Sequence, residues 1–177
     1  MDYQLESARL KFRPCAQEDV DLLLRHWTRP LVRRYLFDDR VADRPTVETF
    51  IRESAANFTE LGFGLWLLTD KVDGGFRGVC GFTEKDGIPD LMFSIEPGHW
   101  GTGLATESAA SAVAHVFDSL NVSQIVATVD KPNTMSIRVL EKLGMRLWAE
   151  EVIQGHPILF YVISKEDYRT SNGESNP

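Results

Sequence analysis

The sequence has little cysteine, no long apolar run and no surplus of basic charge, and each shortage closes off a class of protein. Its two cysteines, Cys15 and Cys80, are too few for a disulfide scaffold and too far apart for a zinc knuckle. That fits a reducing compartment, plain packed thiols and no metal. No apolar stretch approaches the ~20 residues that span a bilayer, and the opening Met1-Asp2-Tyr3-Gln4-Leu5-Glu6 lacks the basic-then-apolar order of a signal peptide. A cytoplasmic protein with no membrane partner is expected. Against 26 Asp and Glu stand only 19 Lys and Arg, a formal net charge of −7. Sequence-independent nucleic-acid binding needs a dense basic face, so it is not expected, and a cationic substrate suits the balance better.

What is present is ordinary globular material: 177 residues, 43% hydrophobic and 25% charged, enough for one domain with a sizeable core. Leu5 to Phe12 alternates and reads as a strand stopped by Pro14. A helix over Gln17 to Trp27 follows, with Val20, Leu23, Leu24 and Trp27 inward and Glu18 and Asp19 in its first turn. Arg29 to Asp39 reads as a short helix and loop, and Arg44 to Leu61 as a longer helix ended by Gly62. Phe63 to Thr69, Phe76 to Thr83 and Asp90 to Ile95 form an antiparallel meander, joined by Asp73-Gly74-Gly75 and Asp86-Gly87-Ile88-Pro89. A small-residue helix over Gly103 to Leu120, a strand over Gln124 to Val129 and a helix over Asn133 to Leu143 come next. Strands at Met145 to Val152 and Pro157 to Ser164 close the domain, taken as residues 1–168, and the polar segment 169–177 reads as a frayed tail. This order predicts an α+β (α/β) fold, a mixed, mostly antiparallel sheet of six to seven strands flanked by helices.

The chemistry concentrates in Pro97-Gly98-His99-Trp100-Gly101-Thr102-Gly103-Leu104-Ala105-Thr106-Glu107. Gly101 and Gly103 let the chain bend so that several backbone N–H groups meet one anion, with the positive end of the following helix behind them. A pyrophosphate is the expected guest. A dinucleotide fold would want this turn after the first strand of a parallel unit, and a Walker loop would want Gly-Lys-Ser/Thr where Gly103-Leu104-Ala105 stands. A second segment, from Asp130 to Met145, carries Asn133 and Ser136 at a helix start. They serve there as a cap and a first-turn hydroxyl, or face the same cleft as the glycine turn.

Together, Trp100-Gly101-Thr102-Gly103-Leu104-Ala105-Thr106-Glu107, Asn133-x-x-Ser136 and Glu141-Lys142-Leu143-Gly144-Met145 resemble the GNAT superfamily of acetyl-CoA-dependent N-acetyltransferases. The opening Ala8-Arg9-Leu10-x-Phe12-Arg13-Pro14 is similar to the branch of ribosomal-protein N-terminal acetyltransferases, so the likeness runs from Leu5 to Tyr168. The resemblance implies a sheet splayed at the cofactor strand, with Met92, Phe93, Ser94 and Ile95 pairing along a pantetheine arm. It implies pyrophosphate contacts from the N–H groups of Trp100, Gly101, Thr102, Gly103, Leu104 and Ala105 and from the Thr102 and Thr106 hydroxyls. Gly98 departs from the Gln or Arg that opens the family's loop. Asn133 corresponds to a cofactor-touching asparagine and Ser136 to a hydroxyl near the sulfur.

Acetyl transfer to an amine needs a neutral nucleophile, a polarised carbonyl and a proton for the thiolate. A backbone N–H of the Met92 to Ile95 strand answers the second need, and Ser136, or alternatively Tyr161, the third. Asp90 and Glu84 are the foremost candidate bases, with Glu150 and Glu151 behind them; a solvated strand end is the plain alternative for each, and a low-pKa amine needs no base at all. Cys80 has no histidine beside it in sequence, so direct transfer in a ternary complex is expected over an acetyl-cysteine. His99 reads as an exposed turn residue and Trp100 as packing under the loop. Trp27, Tyr35, Phe37 and Phe50, with Asp38, Asp39 and Asp43, make the expected acceptor side for an amine that includes cationic ones, in a monomer or homodimer. The alternative of another class is a non-catalytic acyl-CoA-binding or sensor module.

Overall fold

A computed structural model of the chain describes residues 3–37 and 39–171. Among the described residues eight strands form one sheet, in the spatial order β1-β2-β3-β4-β5-β6-β8-β7. They are β1 (Leu5–Glu6), β2 (Leu10–Pro14), β3 (Leu65–Asp70), β4 (Phe76–Lys85), β5 (Ile88–Ile95), β6 (Gln124–Asp130), β7 (Arg146–Ile153) and β8 (His156–Ser164). Every neighbouring pair is antiparallel except β5 and β6, which run parallel. The mixed α/β architecture is the expected one, with a strand more than the six to seven anticipated. The extra strand arises because Leu5 to Phe12 is not continuous: Ser7 N donates to Leu10 O at 2.9 Å, closing a tight hairpin between β1 and β2. The apolar parity slips between Leu5 and the Ala8, Leu10, Phe12 series, and that change of phase coincides with the turn that sets Leu5 opposite Phe12.

The helices are α1 (Val20–Trp27), α2 (Pro30–Leu36), α3 (Arg44–Leu61), α4 (Leu104–Ser119), α5 (Thr134–Lys142) and α6 (Lys165–Ser171). For α3 each boundary has a local cause. The Asp43 carboxylate accepts from Thr46 N at 2.9 Å, Pro45 sits in the first turn, and Gly62 closes the end in a left-handed conformation. The start of α1 is fixed differently: Asp19 is buried, receives both terminal nitrogens of Arg13 at 2.6 and 2.7 Å, and accepts from Ala16 N. Three residues of the anticipated tail, Arg169 to Ser171, form the last turn of α6, where the Ser171 hydroxyl donates to Asp167 O. Residues 172–177 lie outside the described residues.

Helices cover both faces of the sheet, which is why β3 reads Leu65-Trp66-Leu67-Leu68 without a polar position. Trp66 and Leu68 join Phe82, Leu91 and the small-residue stripe of α4, in which Ala109, Ala112, Val113 and Val116 are buried. Leu65, Leu67 and Val79 point to the opposite face, against Val20, Leu23 and Trp27 of α1 and Val47 and Ile51 of α3. Each such large side chain contributes about 1.5–3 kcal/mol on burial. The two layers hold the centre of the sheet from both sides, so that β5 ends at a fixed height between α1 and α4.

Candidate active site

The sheet opens where β5 should continue alongside β6. With β4 the pairing of β5 is complete, from Ile88 opposite Lys85 to Ile95 opposite Gly78, whereas with β6 the register holds only Asp90 opposite Val126. Beyond that bridge the strands splay. Glu96 N donates to Arg77 O of β4 at 2.8 Å. Since backbone groups alternate sides along a strand, the N–H groups of Phe93 and Ile95 turn toward the gap. An extended chain laid into the gap would meet the donors and acceptors of a sheet edge.

Next to the gap lies the glycine turn. Gly101 and Gly103 both hold positive φ, 75° and 85°, a region costly for any residue with a Cβ. The first helical bond of α4 runs from Glu107 N to Gly103 O, so the N–H groups of Leu104, Ala105 and Thr106 have no carbonyl to meet within the helix. They add to its positive pole. Glu107, the acid of this first turn, faces the other way. Its carboxylate accepts from Ser7 Oγ and Arg9 N and pairs with Arg9 Nε at 2.6 Å, and Arg9 also donates to Thr102 O at 2.9 Å. The loop is thereby braced from behind by the β1–β2 turn, and the negative charge is kept on the far side of it.

Gap and turn share one cavity of about 550 Å³. Of the residues expected in the site, Phe93, Ser94, Ile95, Trp100, Gly101, Gly103, Leu104, Ala105, Thr106, Asn133 and Ser136 all line it, as does His99, expected to be only an exposed turn residue. Asn133 also caps α5, its side-chain oxygen accepting from Ser136 N at 3.3 Å. Trp100 donates its indole N–H to Ile95 O at 2.6 Å, tying the turn to the end of β5.

Four of the expected residues are not brought in, and the first, Met92, packs against the core on the α1 and α3 face. Thr102 turns its hydroxyl back to His99 O at 2.6 Å. Asp90 sits at the closed end of the splay, about 13 Å along the strand from Ser94 at ~3.3 Å per residue. There it accepts weakly from Thr128 Oγ1 at 3.4 Å, and burial pushes its carboxyl up. Glu84 accepts from Gly87 N in the β4–β5 turn and borders a separate cavity of about 130 Å³ between α3 and β4.

At the end of β5 the structure assembles a group that sequence reasoning missed. His26 of α1 is 1% exposed. Its Nδ1 lies 2.7 Å from Glu96 Oε1, and its Nε2 lies 3.0 Å from Ser94 Oγ and 3.2 Å from Ser94 O. Trp27 Nε1 donates to the same hydroxyl at 3.2 Å, and Arg29 pairs with the other Glu96 oxygen at 2.8 Å. Burial outweighs the nearby carboxylate and holds the imidazole below its ordinary value. One signal was available: His26 follows Leu23 by three positions, which puts it on the inward stripe of α1, where Leu24 is only half-buried.

The family description "Acetyltransferase (GNAT) domain" matches residues 9–146. The chain belongs to the GNAT acetyltransferase family. A curated relative, the uncharacterized N-acetyltransferase p20 of Bacillus licheniformis, is 29% identical over 150 residues, 80% of this chain and 82% of the relative. Among solved structures, a GNAT-family acetyltransferase from Bordetella pertussis superposes with a TM-score of 0.80 at 22% identity, covering 91% of this chain and 99% of the other. A ribosomal L7/L12 alpha-N-protein acetyltransferase in complex with coenzyme A gives 0.75 at 15% identity, over 89% and 95% of the two chains. At such identities these two structures speak for the fold.

Other groups weighed for GNAT chemistry lie elsewhere. Cys80 is fully buried, its thiol pushed up to about 12 by desolvation, and burial also raises Cys15; neither lines the cavity. Tyr161 is packed in the core, and burial and Glu141 raise its phenol. Asp39 pairs with Arg33, Asp43 caps α3, and Asp38 lies outside the described residues. The cavity wall instead includes Arg34, Arg138 and Lys142 and has no carboxylate among its lining residues. Among the described residues no helix is long and apolar enough to cross a membrane, and no three His, Cys, Asp or Glu side chains are grouped to hold a metal ion.

Proposed function

We propose that the cavity takes acetyl-CoA and that the protein transfers its acetyl group to a primary amine, a protein N-terminus or a small molecule, by direct attack in a ternary complex. The observation that carries this reading is the meeting of two sets of backbone donors in one cavity. The opened edge of β5 suits an extended amide-bearing arm, and the N–H groups of the glycine turn and α4 suit a pyrophosphate. Arg138 and Lys142 add positive charge on the α5 side. An N–H of Phe93 or Ile95 receives the thioester oxygen as negative charge develops on it. Ser136 supplies a proton toward the departing sulfur.

On the acceptor side, the wall made by Leu31, Val32, Tyr35 and Leu36 of α2 suits an amine on a neutral or partly apolar carrier better than a polycation. The ribosomal-protein N-terminal branch is therefore favoured over polyamine acetylation.

Two measurements test the reading. Acetyl-CoA at a hundred times its dissociation constant should stabilise the fold by about 2.7 kcal/mol, with far smaller shifts from NAD and ATP. Free thiol should then appear only when an amine is added, with N-terminal peptides ahead of spermine. No stabilisation by acetyl-CoA would end the reading at the level of binding, and tight binding without amine-dependent thiol release would end it at the level of transfer.

A further inference from the structure

Ser94, His26 and Glu96 form an ordered chain whose first residue lines the cavity and whose last carboxylate is held by an arginine. Its hydrogen-bond directions follow from the groups themselves. The Glu96 carboxylate only accepts, so the proton between it and His26 belongs to Nδ1. A neutral imidazole then has a lone pair at Nε2, and of its two neighbours only Ser94 Oγ can donate, because Ser94 O is a carbonyl. Trp27 Nε1 donates to that same Oγ. The hydroxyl gives its one hydrogen to His26 and keeps a lone pair for a donor in the cavity that Ser94 lines. Ser94 Oγ lies on the α1 face of β5, where it meets α1 residues, while Ile95 is buried on the α4 face with Leu104. The group thus sits on the α1 face of the sheet, and its serine borders the cavity that Leu31, Val32, Tyr35 and Leu36 of α2 wall.

We propose that Ser94 and His26, steadied by Glu96, form the relay that removes the proton from the acceptor amine. The inference rests on the acetyl-transfer reading of this cavity. As the amine nitrogen bonds to the thioester carbon, its N–H proton passes to Ser94 Oγ, while the Ser94 hydroxyl proton passes to His26 Nε2. The imidazolium so formed is held against Glu96. Collapse breaks the carbon–sulfur bond, the thiolate takes a proton from the Ser136 hydroxyl, which regains one from solvent, and His26 returns its own through Ser94 to solvent after product leaves. Ser94 is the catalytic residue of this scheme. His26 and Glu96 act through it and are positioning residues. The backbone holds Ser94 closely, because a Cβ on Gly78 of β4 would stand 2.2 Å from Ser94 O, so no side chain can enter between the two strands there.

The charged groups facing His26 are few. Glu96 raises its proton affinity and Arg29 lowers it. β4 presents the edge of the Phe76 ring at 5.2 Å, and the Arg77 guanidinium is taken by Asp70 and Asp73. The relay works only while His26 is neutral, so kcat should fall on acidification, as the imidazole gains its proton.

The test uses the full chain and the lowest-pKa amine that turns over. Ser94→Ala and His26→Gln should each lower kcat by about a hundredfold with the KM for acetyl-CoA nearly unchanged, and the double variant should lose no more than the worse single one. Glu96→Gln keeps an acceptor for Nδ1 but removes the charge that raises His26, so the acid limb of kcat should move to lower pH. His26 is buried, so should His26→Gln fail to fold, Ser94→Ala and Glu96→Gln decide the matter. Losses that multiply in the double variant, an unmoved acid limb in Glu96→Gln, or Ser94→Ala within threefold of wild type would overturn the relay while leaving acetyl transfer intact. Absence of amine-dependent turnover in the wild type would overturn both.

Discussion

The two ends of the cleft are built on different principles. On the proposed reading, recognition at the α4 end belongs to the main chain: two left-handed glycines bend the turn onto the start of α4, and the side chains Arg9 and Glu107 brace it from behind. At the α1 end it belongs to side chains, with a serine, a histidine and a glutamate joined to each other and to a tryptophan. A main-chain site tolerates many side chains provided the backbone path is kept. A side-chain relay tolerates almost none, yet depends just as much on where the backbone places it.

The same substitution at the two ends separates these cases. Gly78→Ala should be the more damaging, because the added methyl meets Ser94 O and the backbone there holds φ of 146°. Overpacking and backbone strain together point to a loss of about 3–5 kcal/mol, read as a fall in the urea midpoint, with kcat collapsing as β5 shifts. Gly103→Ala has room for its methyl, since its nearest neighbour, Arg9 Nη2, stands 3.5 Å away. Its penalty is left-handed strain of roughly 1–2 kcal/mol, so acetyl-CoA binding should weaken about tenfold or less, and Gly103→Asn should recover part of it. Equal losses at the two positions would erase the distinction.

That contrast also explains what the sequence made legible. The glycine turn could be read because its constraint is local: positive φ, close approach and a helix start fall within Gly101 to Ala105. The bounds of α3 could be read for the same reason, from Asp43, Pro45 and Gly62. The hydrogen-bonded group of His26, Ser94 and Glu96 could not, because Ser94 and Glu96 lie 68 and 70 positions from His26, and nothing near Val20 to Trp27 announces their arrival. In the sequence Asp90 and Glu84 are strand-end acids like any other; only the splay shows that Asp90 lies at its closed end. The β4–β5 turn is shorter than the four residues Asp86 to Pro89 suggest. Asp86 and Gly87 alone make it, both with positive φ, while Ile88 and Pro89 pair with Lys85 and Glu84.

A smaller effect concerns the brace behind the loop. Burial pushes Glu107 up, but bonds from Ser7, Arg9 N and the Arg9 guanidinium outweigh it and leave the carboxyl lowered. A depressed acid contributes stability above its unfolded value of about 4.3 and loses it as pH falls through the lower folded one. Wild type should therefore lose stability on acidification over that window, and Glu107→Gln should show less of the loss. Arg9 is half exposed, so the difference at neutral pH should be about 1 kcal/mol or less. Thermal unfolding of both proteins from pH 3 to 7 measures it, and parallel curves would remove Glu107 from the brace.

The smallest effects are expected at Asp90 and Glu84. If proton removal belongs to the α1 end, Asp90→Asn and Glu84→Gln should each leave kcat within about twofold, the scale of a ±0.5 kcal/mol perturbation. Asp90 carries a further sign. Burial raises its carboxyl, so the charged form is disfavoured in the folded state and the wild type should gain stability as pH falls. Asp90→Asn removes that penalty and keeps a partner for Thr128, so it should be the more stable protein at neutral pH and converge with wild type in acid. A large fall in kcat for Asp90→Asn, with folding and acetyl-CoA binding intact, would move the base to the closed end of the splay. The side-chain group around Ser94 would then hold β5 in place while the chemistry drew its base from about 13 Å away at ~3.3 Å per residue, a separation that one bridging water cannot span.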